Sequence, residues 1–244
     1  MADYLRPCVA PLEFRDSDGT IIDYGHRWER AGGPPDDSYS VVEHPERFAP
    51  LHLVAEALIE HLTTHFTVRI EEGLPVIAGL QHAPSAAEIA RAVRITPQGP
   101  GSAPMVFVLT TFPGVWLHAG ALFSAVFPSC GCIACDEHWD TAADELEALV
   151  FTVLGGGFGE EISRPQRAKW SYDRGRGLVK GMGQTVSYRL RSPDGRSGSS
   201  GQRRAKDVPP ELLSRAQTRL SEVAQLSPDG NWLPWQRSTP PTPA

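Results

Sequence analysis

The chain of 244 residues has no long apolar run. Its longest, near Ala148 to Leu154, falls far short of the ~20 residues a membrane helix needs, so no membrane partner is expected. Met1 to Val9 lacks an apolar stretch behind a basic start, so no secretory leader is expected either. Cysteine is scarce, with 4 residues, too few to read as a disulfide scaffold. These features together predict a cytoplasmic protein. No internal repeat is present, and no linker is long enough to divide the chain firmly.

Motifs of the common enzymes are missing as well. Gly198-Ser-Ser-Gly201 lies among turn formers, not between a strand and a helix, so it is no nucleophile elbow. Gly175, Gly177, Gly181 and Gly183 meet neither the Walker nor the dinucleotide spacing. His61 and His65 stand four apart, but Leu62 occupies the place where a zinc protease carries glutamate. No Ser-His-Asp set can be assembled from spacing.

What is present is ordinary globular sequence, 41% hydrophobic and 21% charged. Phe48, Leu51, Ala55, Leu58, Leu62 and Phe66 recur at helical steps and predict a helix over 46–66. Trp139, Ala142, Ala143, Leu146, Leu149, Val150 and Val153 predict another over 136–154, with Asp136 as its N-cap and a glycine of Gly155-Gly-Gly157 as its left-handed stop. Strands are expected near 67–71, 91–96, 105–111 and 115–119, the last two joined as a hairpin through Phe112-Pro-Gly114. Ser85 and Glu88 have capping-box spacing. The predicted fold is α+β: an antiparallel sheet covered on one face by the two helices. A C-terminal hairpin (Thr185–Leu190 returning through Ser197–Gln202, around Pro193-Asp-Gly195) and a short helix, Glu211 to Val223, complete it. Trp232 and Trp235 are expected to anchor the chain before a disordered end, 238–244.

Charge is divided unevenly. Residues 1–163 carry 8 Lys+Arg against 23 Asp+Glu, and residues 164–206 carry 12 against 2. We therefore read 1–163 as an acidic core with an N-terminal arm, and 164–237 as a basic segment packed on it, within one domain overall. Residues 164–206 can meet an acidic partner or nucleic acid, the latter with Trp170, Tyr172, Arg174 and Arg176 as an aromatic-basic surface. They can equally lie against the chain's own acidic body.

The chemistry concentrates at Cys130-Gly-Cys132-Ile-Ala-Cys135. Thiolates are soft ligands, and a turn of this spacing can gather Cys130, Cys132 and Cys135 around one tetrahedral zinc ion. His138, one helical turn on, is the first candidate for a fourth ligand, with His118 or Cys8 as alternatives. Thiol chemistry at a reactive Cys135 is a second reading, since a helix start lowers a thiol pKa, although Asp136 and Glu137 oppose this. Reduced cysteines packing as small apolar residues are the third.

Phe14-Arg-Asp-Ser-Asp-Gly19 through Ile22-Asp-Tyr-Gly25 and Arg27-Trp28 resembles the opening of an uncharacterised actinobacterial family, domain of unknown function 6226. So do Tyr39-Ser40 with His44-Pro-Glu-Arg-Phe-Ala-Pro-Leu-His52, the cysteine block with Asp136-Glu137 and Trp139, Ser192-Pro-Asp-Gly195, and Trp232-x-x-Trp235. The resemblance implies that the cysteine block is a family feature. It carries no activity over. The reading is a non-catalytic binding protein with a zinc at the cluster. An enzyme using the cluster and a weak nucleic-acid binder are the alternatives.

Overall fold

The structure, a computed structural model, describes residues 4–29, 31–165, 170–173, 177–180, 183–192 and 195–238. An arm of turns leads through a 3-10 turn, Pro45–Phe48, into helix α1 (Pro50–His65). Strands β1 (Val68–Glu72), β2 (Ile89–Pro97), β3 (Met105–Thr110), β4 (Val115–Ala119) and β5 (Phe123–Phe127) follow, and then helix α2 (Trp139–Leu154). Strands β6 (Phe158–Ile162), β7 (Trp170–Asp173), β8 (Gly177–Lys180), β9 (Thr185–Arg191) and β10 (Gly198–Arg204) precede helix α3 (Pro210–Leu226). The fold is α+β. No helix among the described residues is long and apolar enough to cross a membrane.

Helix α1 forms where its apolar residues repeat, with Pro50 in the first turn, where a missing N–H costs little. Phe48, Leu51, Ala55, Leu58, Leu62 and Phe66 are all buried. Strands β1 to β5 make an antiparallel meander in sequence order. Alternation divides β3 between two clusters: Met105, Phe107 and Leu109 join the core that holds the α1 and α2 side chains. Val106 and Val108 pack with Val76 and Ala92. Ser85 and Glu88 do form a capping box, on a 3-10 turn of three residues that feeds β2.

Helix α2 departs from expectation at its start. His138 occupies the N-cap position, while Asp136 lies outside the helix at φ 48°. A tertiary partner decides this, because the Asp136 carboxylate accepts the Arg27 backbone N–H at 2.7 Å. At the other end Gly156, at φ 76°, takes the left-handed position.

The C-terminal part is larger than a hairpin and a short helix. Strand β9 pairs with β10 on one side and β6 on the other, giving a three-stranded sheet, and α3 has 17 residues. Glu160 of β6 is buried and clamps the β4–β5 turn. Its carboxylate accepts the Ala121, Leu122 and Phe123 backbone N–H groups at 2.7–2.9 Å and the Trp232 indole N–H at 3.1 Å. The last described stretch returns through the body. Trp232 and Trp235 are buried in the main core, and Leu233 bridges in parallel to Ser102. Of residues 238–244, where disorder is expected, Ser238 instead donates its N–H to the His65 carbonyl at 2.9 Å, and 239–244 lie outside the described residues, as do Pro193 and Asp194 of the anticipated turn.

Gly120 shows how little room the clamp leaves. It holds φ 65°, and an added Cβ would collide with Glu160 Oε2 and come within 2.8 Å of Phe158. Gly120→Ala is therefore expected to lower stability by about 2 kcal/mol or more, read from the urea midpoint at unchanged slope.

Candidate metal centre

The cysteine loop leaves β5 and turns into α2, and it is held from both sides. Glu137 accepts the Ser129 and Cys130 backbone N–H groups and the Ser129 hydroxyl at 2.8–3.0 Å, which fixes the entry to the loop. The arm fixes the rest. Ile133 N–H donates to the Val41 carbonyl at 2.8 Å and Ala134 N–H to that of Ser38 at 3.2 Å. The Trp28 indole N–H donates to the Ile133 carbonyl at 3.0 Å, and Arg47 Nη2 to that of Gly131 at 3.1 Å. Gly131 is closely approached, since a Cβ there would lie 2.6 Å from the end of the Phe112 ring and displace it.

The loop brings the sulfurs of Cys130, Cys132 and Cys135 within 4.8 Å of one another, with Cys130 and Cys132 at 3.2 Å. Zinc–sulfur bonds of about 2.3 Å in a tetrahedron would set neighbouring sulfurs ~3.8 Å apart, so closing the trio on an ion needs only small side-chain shifts. None of the four cysteines is paired in a disulfide. Cys132 is buried and Cys135 exposed.

The electrostatics fit cation binding. Hydrogen bonding from Cys130, with the Cys135 and Ser40 backbone N–H groups also directed at it, lowers the Cys132 thiol to about 7. The Cys130 and then the Cys132 sulfur push Cys135 up to about 12. Three thiols this close do not all ionise without a cation between them. The thiolate is the nucleophile, so in the metal-free chain Cys135 is poorly placed for thiol chemistry.

The other expected ligands lie elsewhere. His138 directs Nδ1 to the Asp140 carboxylate. His118 is buried on β4 opposite Ser124, three ladder positions from the Val115–Phe127 pair, or ~10 Å along the strand. Burial lowers its pKa to about 4. Cys8 is exposed on the arm. Among the described residues Cys130, Cys132 and Cys135 are the only group of His, Cys, Asp or Glu at metal-ligand spacing.

Sequence reasoning missed Arg47. It is 2% exposed, stacks on the rings of Tyr24 and Phe48 at 4.2 and 4.4 Å, and touches no carboxylate among the described residues. No spacing rule marks a buried arginine; its place in the His44–His52 block was the only hint.

The basic segment makes internal contacts where it is described. Arg203 donates to the Leu122 carbonyl at 3.0 Å, Arg189 to that of Asp229 at 3.1 Å, and Arg204 pairs with Asp207 at 2.9 Å. Arg174 and Arg176 of the anticipated nucleic-acid surface lie outside the described residues, as do Gly175 and Gly181. A cleft lined by Phe123, Glu160, Val186, Tyr188 and Arg203 contains no residue of the cysteine loop. Its buried carboxylate is already satisfied by four donors.

No curated protein and no solved structure matches this chain. The model of one family covers residues 10–239, cysteine loop and arm included, and the chain therefore belongs to the family of unknown function DUF6226.

Proposed function

We propose that the protein is a non-catalytic, cytoplasmic metal-binding protein whose Cys130, Cys132 and Cys135 hold a zinc ion. The observation that carries this is the convergence of three unpaired sulfurs within 4.8 Å on a loop fixed by hydrogen bonds from both sides. Arg47 supports it. A dication on three thiolates carries one net negative charge, and a buried guanidinium without a carboxylate needs such a counter-charge nearby. A reducing compartment keeps the sulfurs available as ligands.

Metal analysis of the purified protein is expected to return one zinc per chain, and Cys132→Ser to lose it. Cobalt substitution of the wild type should give sulfur-to-metal charge-transfer absorption. A stable, folded protein that contains no metal and takes up neither ion would remove the proposal.

A further inference from the structure

We infer that the same three sulfurs form a binding site for trivalent arsenic, presented as neutral arsenous acid. The inference rests on the three-sulfur geometry used above but not on the presence of zinc.

The argument begins with what a tetrahedral ion lacks here. Zinc in a closed site takes four protein ligands. All 8 histidines and all 4 cysteines fall within the described residues, and none beyond the trio reaches it at metal-ligand spacing. His138 is engaged with Asp140. Among the described residues no carboxylate reaches it at that spacing either, so none of them supplies a fourth donor. A trivalent centre with a stereochemically active lone pair has no such deficit, since three sulfurs complete its pyramidal shell. The 3.2 Å Cys130–Cys132 separation already suits two bonds to one small atom.

Charge points the same way. Asp136, Glu137 and Asp140 flank the loop, and residues 1–163 carry 8 basic against 23 acidic groups. Such a surface repels small anions. Arsenous acid is uncharged at neutral pH and is not repelled. Its reaction with the loop is a condensation without redox change: three As–OH bonds and three S–H bonds break, three As–S bonds form, and three waters leave. Three thiolates around a trivalent centre sum to zero, so the adduct itself is neutral. Exposed Cys135 gives the reagent its entry, and half-buried Cys130 and buried Cys132 complete the shell.

The test uses the reduced, full-length, chelator-treated protein and sodium arsenite. Intact mass should rise by one arsenic less three hydrogens, and titratable thiols should fall from four to one. Cys8→Ser should bind equally while its thiols fall from three to none. Cys135→Ser, checked for native circular dichroism, should bind about tenfold more weakly or worse. If Cys135→Ser does not fold, X-ray absorption of the Cys8→Ser adduct decides instead: three As–S contacts are expected. No adduct, an adduct that leaves two or more thiols titratable in the wild type, or undiminished binding by folded Cys135→Ser would overturn the inference. Arsenic uptake without zinc uptake would sink the zinc proposal alone, and zinc uptake without arsenic this inference alone.

Discussion

Glu160→Gln is expected to cost about 3 kcal/mol of folding stability at pH 7. The wild-type carboxylate takes four N–H donors, three from the backbone of residues 121–123 and one from Trp232. Glutamine keeps one acceptor oxygen and turns an NH2 group toward the remaining donors. Each buried donor left without an acceptor costs roughly 1–3 kcal/mol. For a chain of this size the loss corresponds to about 6–12 °C in Tm. Glu160→Ala should be worse, because a cavity is added to the unpaired donors.

The same substitution carries a pH signature. Burial pushes the Glu160 carboxyl up to about 6 from its ordinary 4.5, against the opposing pull of its donors. The folded chain then binds this proton more tightly than the unfolded one. The associated stability is complete below about 4.5 and is lost as pH rises through about 6. That difference is worth ~2 kcal/mol. Glutamine does not titrate, so the deficit of Glu160→Gln relative to wild type should widen by ~2 kcal/mol between pH 7 and pH 4.5. Urea unfolding of both proteins at the two pH values checks this; a deficit that narrows on acidification would show that the four donors outweigh burial.

If the cluster holds zinc as proposed, removing the metal is expected to free the arm. Residues 27–47 meet the cysteine loop and Asp136 through the Arg27, Trp28, Ser38, Val41 and Arg47 contacts. A ligand held at 100-fold its Kd stabilises the state that binds it by about 2.7 kcal/mol. Chelation should then raise the population of arm-open molecules roughly 100-fold. Trypsin reports this at Arg47, which is buried while the arm is docked. Cleavage there should accelerate on chelation and in Cys132→Ser, with the fragment from α1 onward surviving. Equal cleavage rates with and without metal would separate the ion from the arm.

How much of this could be read beforehand varied with the physics. Helix α1 was legible because its core face follows one period and two prolines mark its start. Strands β3 and β4 were legible because β-rich runs flank a Pro-Gly turn. Strand β6 was not: Phe158-Gly-Glu-Glu-Ile162 contains poor strand formers, and burial of Glu160 depends on donors 37 to 39 residues earlier and on Trp232 far later. Strand β5, with Ser124 and Ala125 at its centre, was also passed over. Asp136 looked like an N-cap because the preference is local, while its real partner, Arg27, lies 109 residues away. The clustering of the three cysteines was legible because they are neighbours in sequence. What surrounds it, Arg47 above all, comes from the arm and is set by tertiary packing alone.

The path of the final stretch sets an order in time. Trp232 and Trp235 occupy the same core as α1 and the meander, Arg237 bridges to Phe66, and Trp232 supplies one of the Glu160 donors. A chain still being made therefore lacks part of its core until Trp232 and Trp235 emerge from the ribosome. Until then the core that α1, β3 and α2 share has a gap where the two indoles belong, and apolar surface there stays exposed. A premature stop ahead of Trp232 would leave a product without two core indoles and one of the four Glu160 donors.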